Sequence, residues 1–341
     1  MRRWAAAGLE VVHRTSTAPG LPATAQRNGY SVVRRGSRYS VFPRTMVAEL
    51  AHRMGPFDAL IEIWNGVPWL SPLWCRRPNI TVVHHVHDQM WEQMFPRPVA
   101  AVCRVIETKI APLAYRRTMV VSGSESTTAH LRELGYRAER TRVVPYGVAA
   151  AYSPGGERSS YPLVLSVGRL APVKEHDLLI AAALQAKERV PALRLVIVGS
   201  GPRRAALEQL IAAHDASDWI TMPGRIALDE LIALYRQAWL VASASRSEGW
   251  GLTLTEAAAC GTPAVATDIA GHQCSVIDGV TGVLAPIELL GERIGDLLLD
   301  EKLRTTLGAQ ALSRARGLSW DSAASGLLAA LRDEVRRRVN R

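Results

Sequence analysis

The chain has 341 residues, 48% of them hydrophobic, and 41 lysines and arginines against 31 aspartates and glutamates, for a net charge of +10. That length and apolar content exclude a disordered tail or a single small scaffold, and predict two domains with cores of their own. The basic surplus suits phosphate-bearing ligands or an anionic membrane face. It does not suit nucleic acid, because the arginines fall in scattered pairs such as Arg34–Arg35 and Arg76–Arg77, with no interleaved aromatics and no recognition motif.

The opening stretch "MRRWAAAGLEVVHRT" is interrupted by Glu10 before an apolar core of signal length develops, and no run of 18 apolar residues occurs anywhere. Neither a spanning helix nor a secretory signal is expected. Cys75, Cys103, Cys260 and Cys274 have no C-x-x-C or metal spacing, so they read as reduced core residues of a cytoplasmic protein. In the first half, "LEVVHRT", "FDALIEIW", "NITVVHHVH", "TMVVSGS" and "RTRVVPYG" read as strands, and "VAAVCRVIETKIAPLAYRR" and "ESTTAHLRELG" as helices. Residues 147–160 are aperiodic and rich in Gly, Ser and Pro, as a linker is.

From residue 161 the alternation is regular. The apolar runs "YPLVLSVG", "LRLVIVG", "WITMPG", "AWLVAS" and "PAVATD" alternate with helical segments such as "EHDLLIAAALQAKERV" and "LDELIALYRQA". Continuous apolar strands separated by helices imply a parallel sheet covered on both faces. The expectation is an α/β protein of two Rossmann-like domains, 1–150 and 151–319, followed by a helix over 320–341 with Leu327, Leu328, Leu331 and Val335 on one face.

In a parallel sheet, ligands bind where strands run into helices. Three such loops carry candidates. "SVGRLAPVKEHDLLI" sets Arg169 and Lys174 beside a helix start, where both charges and free amides can face a diphosphate or, equally, can simply be solvated. "VIVGSGPRRAAL" is an incomplete G-x-G-x-x-G, with Arg204 at the third position, and reads better as a tight turn. "EGWGLTLTEAAACGTPAVATD" places Glu248 just before a helix and Glu256 one turn inside it, with Gly249 and Gly251 clearing the approach. Carboxylates accept hydrogen bonds from sugar hydroxyls, so an acid on each side of an anion-binding helix start suits a nucleotide sugar. The alternative is two acids complementing the helix dipole, worth about 0.3–1 kcal/mol each.

"SEGWGLTLTEAAACGTPAVATD" resembles the Glu, seven residues, Glu signature of the retaining nucleotide-sugar glycosyltransferases of family 4, and "VGRLAPVKE" is similar to their Gly-Arg-Leu…Lys loop. "GSGP", "PGRIALDELIALYRQA" and "DGVTGVLAP" follow in the family's order, and the resemblance runs from about residue 79 to near the end. It implies the GT-B architecture: two Rossmann-like domains with a cleft between them, the donor on the second, and a C-terminal helix crossing back to the first. It further implies that Arg169 and Lys174 hold the diphosphate with the Gly251–Leu252–Thr253 backbone, that Glu248 grips the transferred sugar, and that Glu256 grips the ribose. Arg225 and Ile226 would contact the nucleobase, and His87 in "VVHHVHD" the donor sugar near the reacting carbon. Retention would follow from same-face attack by the acceptor hydroxyl.

His84, His85, His87 and Asp88 crowd one strand end, which also reads as a plain polar terminus, and no D-x-D pair occurs. The expectation is no metal and no cofactor, with the nucleotide diphosphate sugar as donor substrate. The expected acceptor is a glycan or a lipid-linked polysaccharide precursor, met by a cytoplasmic protein peripheral to the inner membrane face. The sequence departs from the family in two places. The given sequence opens inside what reads as the end of the family's first helix, so the first strand and Gly-rich loop are expected to be missing, through a misplaced start or a degenerate copy, and Tyr146 in "PYGVA" replaces the family's Asn. The first departure motivates a rival, a non-catalytic nucleotide-sugar-binding partner subunit; "GSGPRR" motivates another, an NAD-dependent oxidoreductase.

Overall fold

The computed structural model describes residues 1–64 and 66–339. They divide into two compact units, one formed by Met1–Pro145 with the segment from Asp321 onward, the other by Tyr146–Trp320. The sequence reading sets its first boundary at residue 150; the structure divides at Pro145.

In the first unit, β1 (Val12–Thr15), β2 (Thr24–Arg27) and β3 (Tyr30–Arg34) form one sheet of order β1-β3-β2. β2 and β3 are an antiparallel hairpin turned by Asn28 and Gly29, both at positive φ (49° and 84°), as a two-residue turn matched to strand twist requires. A second sheet is wholly parallel: β4 (Leu60–Trp64), β5 (Asn79–Val83), β6 (Met119–Ser122) and β7 (Thr141–Val143), in sequential order. Alternate residues face opposite sides of these strands. Val83 and Val120 pack with Trp64, Tyr115 and Leu131 on one face, while Ile80, Met119 and Val121 pack on the other with Ala323 and Ala330 of the Trp320–Val339 helix.

That last helix differs from expectation in its buried line. Ala323, Ala330 and Glu334 are the buried positions, with Leu327 and Leu331 partly buried and packed on the same cluster; Leu328 and Val335 lie beside the line. Small residues let the helix sit close to the sheet. Among the described residues, no helix is long and apolar enough to cross a membrane.

The second unit is a single parallel sheet of β8 (Leu163–Val167), β9 (Arg194–Val198), β10 (Ile220–Gly224), β11 (Leu240–Ser243), β12 (Ala264–Thr267) and β13 (Gly282–Ala285). Its order is β10-β9-β8-β11-β12-β13, so the chain winds outward from β8 in one direction, then returns beside it as β11 and winds outward in the other. Val164, Leu195, Ile197, Leu240 and Ala242 supply one core; Leu163, Leu165, Val198, Val241 and Ala266 supply the core on the opposite face. Burial of each of the Val, Leu and Ile side chains stabilises by about 1.5–3 kcal/mol. The winding leaves a crevice outside the carboxyl ends of β8 and β11, where their loops must diverge to opposite faces.

Candidate functional site

Two loops meet at that crevice. The loop after β8 passes through a short 3-10 turn, Pro172–Lys174, and reverses at Glu175 with φ 44° before the His176–Arg189 helix. The loop after β11 carries Ser245, Arg246 and Glu248 into the Leu252–Ala259 helix. They are tied three ways: the Arg246 amide donates to the Val173 carbonyl (3.0 Å), the Arg246 guanidinium pairs with Glu175, and the Lys174 ammonium donates to Glu248 Oε1. Ser245 Oγ donates to the same carboxylate oxygen at 2.9 Å. Lys174 and Glu248 keep only 18% and 17% of their side-chain surface, so solvent screens their attraction less than it would at the open surface.

The Glu248 loop is held from behind. A Cβ on Gly271 would lie 2.1 Å from the Glu248 carbonyl oxygen, so only glycine permits that approach. His272 is fully buried, with Nδ1 2.8 Å from the Thr267 carbonyl oxygen and Nε2 3.2 Å from Ser243 Oγ; burial lowers its affinity for a proton. Gly251 opens the helix at φ 79°, where a Cβ would meet Ser275 Oγ at 2.8 Å. The first amides of the helix, at Leu252 and Thr253, have no preceding helical turn to accept them and can face an anion.

The other expected residues are placed unequally. Arg169 lies in the same loop as Lys174, exposed, and its guanidinium makes no hydrogen bond or ion pair among the described residues. Glu256 is half-buried and already accepts a hydrogen bond from Tyr235 (2.9 Å); burial raises its carboxyl above the usual range, against the pull of the Tyr235 and Tyr152 hydroxyls. Arg225 is exposed and Ile226 packs partly on the second core; both follow β10, two strands from β8, a separation of about 10 Å at ~4.8 Å per strand. The glycines of "GSGP" have a packing role: a Cβ on Gly199 would fall 1.8 Å from the Gly168 oxygen and one on Gly201 2.4 Å from the Leu170 oxygen.

His87 belongs to the first unit, in the loop after β5, and is 5% exposed. Its ring stacks on Trp91 at 4.4 Å between centroids, with His85 at 4.2 Å. A residue that sequence reasoning passed over governs it. Glu107, fully buried, sits in a π-helical turn, Ile106–Ile110, between the Arg97–Val105 and Ala111–Tyr115 helices. Its Oε1 lies 3.1 Å from His87 Nδ1 and accepts the His87 amide (3.0 Å), while Oε2 accepts the Asp88 amide and Trp91 Nε1 (both 2.8 Å). Burial alone would raise this carboxyl, but the four donors prevail and hold it below the usual range. The one sequence signal was that Glu107 is the lone acid between Arg97 and Arg117. Trp64, Trp74 and Trp91 are buried in packing. Among the described residues, no three His, Cys, Asp or Glu side chains cluster as metal ligands.

Comparison with known proteins finds matches for both halves of the chain. Residues 153–314 match the glycosyl transferases group 1 family, and residues 1–152 match glycosyltransferase family 4. A D-inositol 3-phosphate glycosyltransferase of Salinispora arenicola is 38% identical over 321 residues, covering 82% of this chain and 70% of that protein. Its counterpart from Nocardia farcinica is 34% identical over 286 residues, 77% of this chain; the match spans only 62% of that relative's length. In fold, the chain is similar to the sucrose-phosphate synthase of Thermosynechococcus elongatus (TM-score 0.81, 24% identity, covering 97% of this chain and 90% of that one). With both halves matched in order and a relative of that identity aligned over most of both sequences, the chain belongs to glycosyltransferase family 4, the GT-B type.

Proposed function

We propose that this protein transfers a hexose from a nucleotide diphosphate sugar to an acceptor hydroxyl with retention at the anomeric carbon. The observation that carries the reading is the Lys174–Glu248 pair at the β8/β11 crevice, beside the start of the Leu252–Ala259 helix. A cation, free helix amides and a carboxylate lie together there, which fits a diphosphate joined to a hydroxylated ring. Lys174 and the unpartnered Arg169 stabilise the charge that builds on the leaving diphosphate. Glu248, released from Lys174, accepts hydrogen bonds from the sugar. Glu256 turns from Tyr235 to the ribose, and Arg225 and Ile226 meet the base. His87 Nε2, which makes no hydrogen bond among the described residues, is left to contact the donor sugar. In this reading the protein's own cations take the place of a divalent metal.

The expected acceptor is a glycan or lipid-linked precursor, which accords with the net charge of +10 and contact with an anionic membrane face. The names of the relatives favour a second acceptor, a phosphorylated cyclic polyol such as inositol 3-phosphate. A thermal-shift screen of UDP-, GDP- and ADP-sugars, and of NAD, identifies the donor, since a bound ligand stabilises the fold by mass action. Turnover with each acceptor class then selects between the two. Stabilisation by NAD alone overturns the reading, and donor binding without hydrolysis or transfer selects the non-catalytic partner instead.

A further inference from the structure

The segment Arg97–Arg117 has an outer face unlike that of an ordinary surface helix. Val102, Val105, Ile110 and Leu113 are exposed by 58%, 51%, 42% and 70%, although the same helix has a buried side through Ala100, Cys103, Ala111 and Tyr115. The spacing of five between Val105 and Ile110 would take an α-helix off this line. The π-helical turn Ile106–Ile110 absorbs one extra residue, so at 100° per residue all four stay within roughly an 80° arc. The turn that points Glu107 inward at His87 thus also keeps the apolar stripe straight.

Arg97, Arg104, Lys109 and Arg116 are exposed along one flank of the stripe, and Arg117 follows at its end. The segment's only acid, Glu107, is fully buried, so no carboxylate of this segment offsets those cations at the surface; Asp88 pairs with Arg104 (3.0 Å) from the preceding loop. An unbroken apolar row exposed to water marks an interaction surface. A flanking row of cations with no acid of its own complements an anionic surface.

We infer that the Arg97–Arg117 face docks on an anionic lipid surface, with Val102, Val105, Ile110 and Leu113 entering the headgroup boundary and Arg97, Arg104, Lys109 and Arg116 meeting lipid phosphates. This deepens the membrane contact proposed above by giving it a location, and it does not depend on the transfer chemistry.

The test is co-sedimentation of the full chain with vesicles of phosphatidylcholine alone or with about one-third phosphatidylglycerol. Binding is expected only to the second, weakening with salt. Val102→Asn with Leu113→Asn, and separately Arg97→Ser with Arg116→Ser, are each expected to lower partitioning by about tenfold or more. Thermal unfolding and donor turnover without vesicles should stay at the level of the parent protein. No binding to phosphatidylglycerol, or binding untouched by both variants, overturns the inference. So does a parent dimer in gel filtration that the Val102/Leu113 variant dissociates, since a second copy would then cover the stripe. Donor turnover is read separately, so failure of either reading leaves the other standing.

Discussion

Lys174 and Glu248, 74 residues apart in the chain, form an ion pair that closes the crevice between the two central strands of the second unit. The pair compensates two charges that little water reaches, and it holds both at the place where a donor would need one cation and one hydroxyl acceptor. In the proposed reading, donor binding divides the pair, giving the ammonium to phosphate and the carboxylate to sugar.

Lys174→Ala is expected to lower donor turnover roughly 100- to 1,000-fold, the usual effect of losing one group that stabilises a leaving charge. It also leaves Glu248 uncompensated, with a stability loss of about 1–3 kcal/mol, between the limits for exposed and buried pairs. Glu248→Gln keeps a hydroxyl acceptor and should lose less. A double-mutant cycle on urea denaturation and on turnover separates the two effects. Full turnover by the Lys174→Ala protein would remove Lys174 from the reaction.

Glu107 is expected to act on His87 by fixing its tautomer, since a carboxylate at Nδ1 keeps the proton there and leaves Nε2 open. In Glu107→Ala, nitrogen chemical shifts of the His87 ring should show a mixture of tautomers, and kcat should fall roughly 10- to 100-fold with little change in KM. Glu107→Gln keeps an acceptor for His87 but turns its amide toward the Asp88 and Trp91 donors. It should therefore preserve the tautomer at a stability cost of about 1–3 kcal/mol. A His87 ring spectrum that is the same in all three proteins would reduce Glu107 to a structural role.

What could be read in advance follows from how local each signal is. The strands β8 to β12 announce themselves as continuous apolar runs because both faces of the sheet are covered, and Lys174 and Glu248 stand out because each follows such a run. The β2–β3 hairpin was missed although Asn28-Gly29 is its turn signal, since its strands are short and mostly solvated. The glycines of "GSGP" look like a phosphate loop, yet they answer to the backbone of the neighbouring β8 loop. The hydrogen bond of Glu256 to Tyr235, from the preceding helix, is likewise invisible to spacing. Glu107 was hidden by the π-helical turn, which breaks the regular helical period that would have shown it facing the core.

His176 opens the helix after Lys174 and is 5% exposed. Burial first, and then the charge of Lys174, push its pKa down to about 4, below its ordinary value near 6.5 in the unfolded chain. The unfolded state therefore binds the extra proton between those values. The stability that His176 contributes by staying neutral is present above about pH 6.5 and is lost as pH falls toward 4, by up to about 3 kcal/mol. Urea denaturation of the parent protein and of His176→Gln from neutral pH down to about pH 4 checks the sign. The parent should lose stability more steeply, and parallel curves would refute the assignment.

Glu334 presents the opposite case, a fully buried carboxylate whose charge is satisfied by cations. It accepts from Arg337 Nε at 3.0 Å, and from Arg140 Nη1 and Arg338 Nε, both at 3.3 Å. Arg337 and Arg338 in turn donate to the Arg117 and Arg76 carbonyls. One acid thus organises the clamp that fastens the last helix to the four-stranded sheet. Glu334→Ala leaves three arginines without their common partner and is expected to destabilise the first unit by about 3–5 kcal/mol. Hydrogen exchange should show the Trp320–Val339 helix opening before the second unit does. Glu334→Gln, which can accept fewer of these donors, should fall between the two. A helix as protected in Glu334→Ala as in the parent would mean that the Ala323 and Ala330 packing, and not the charge cluster, holds it in place.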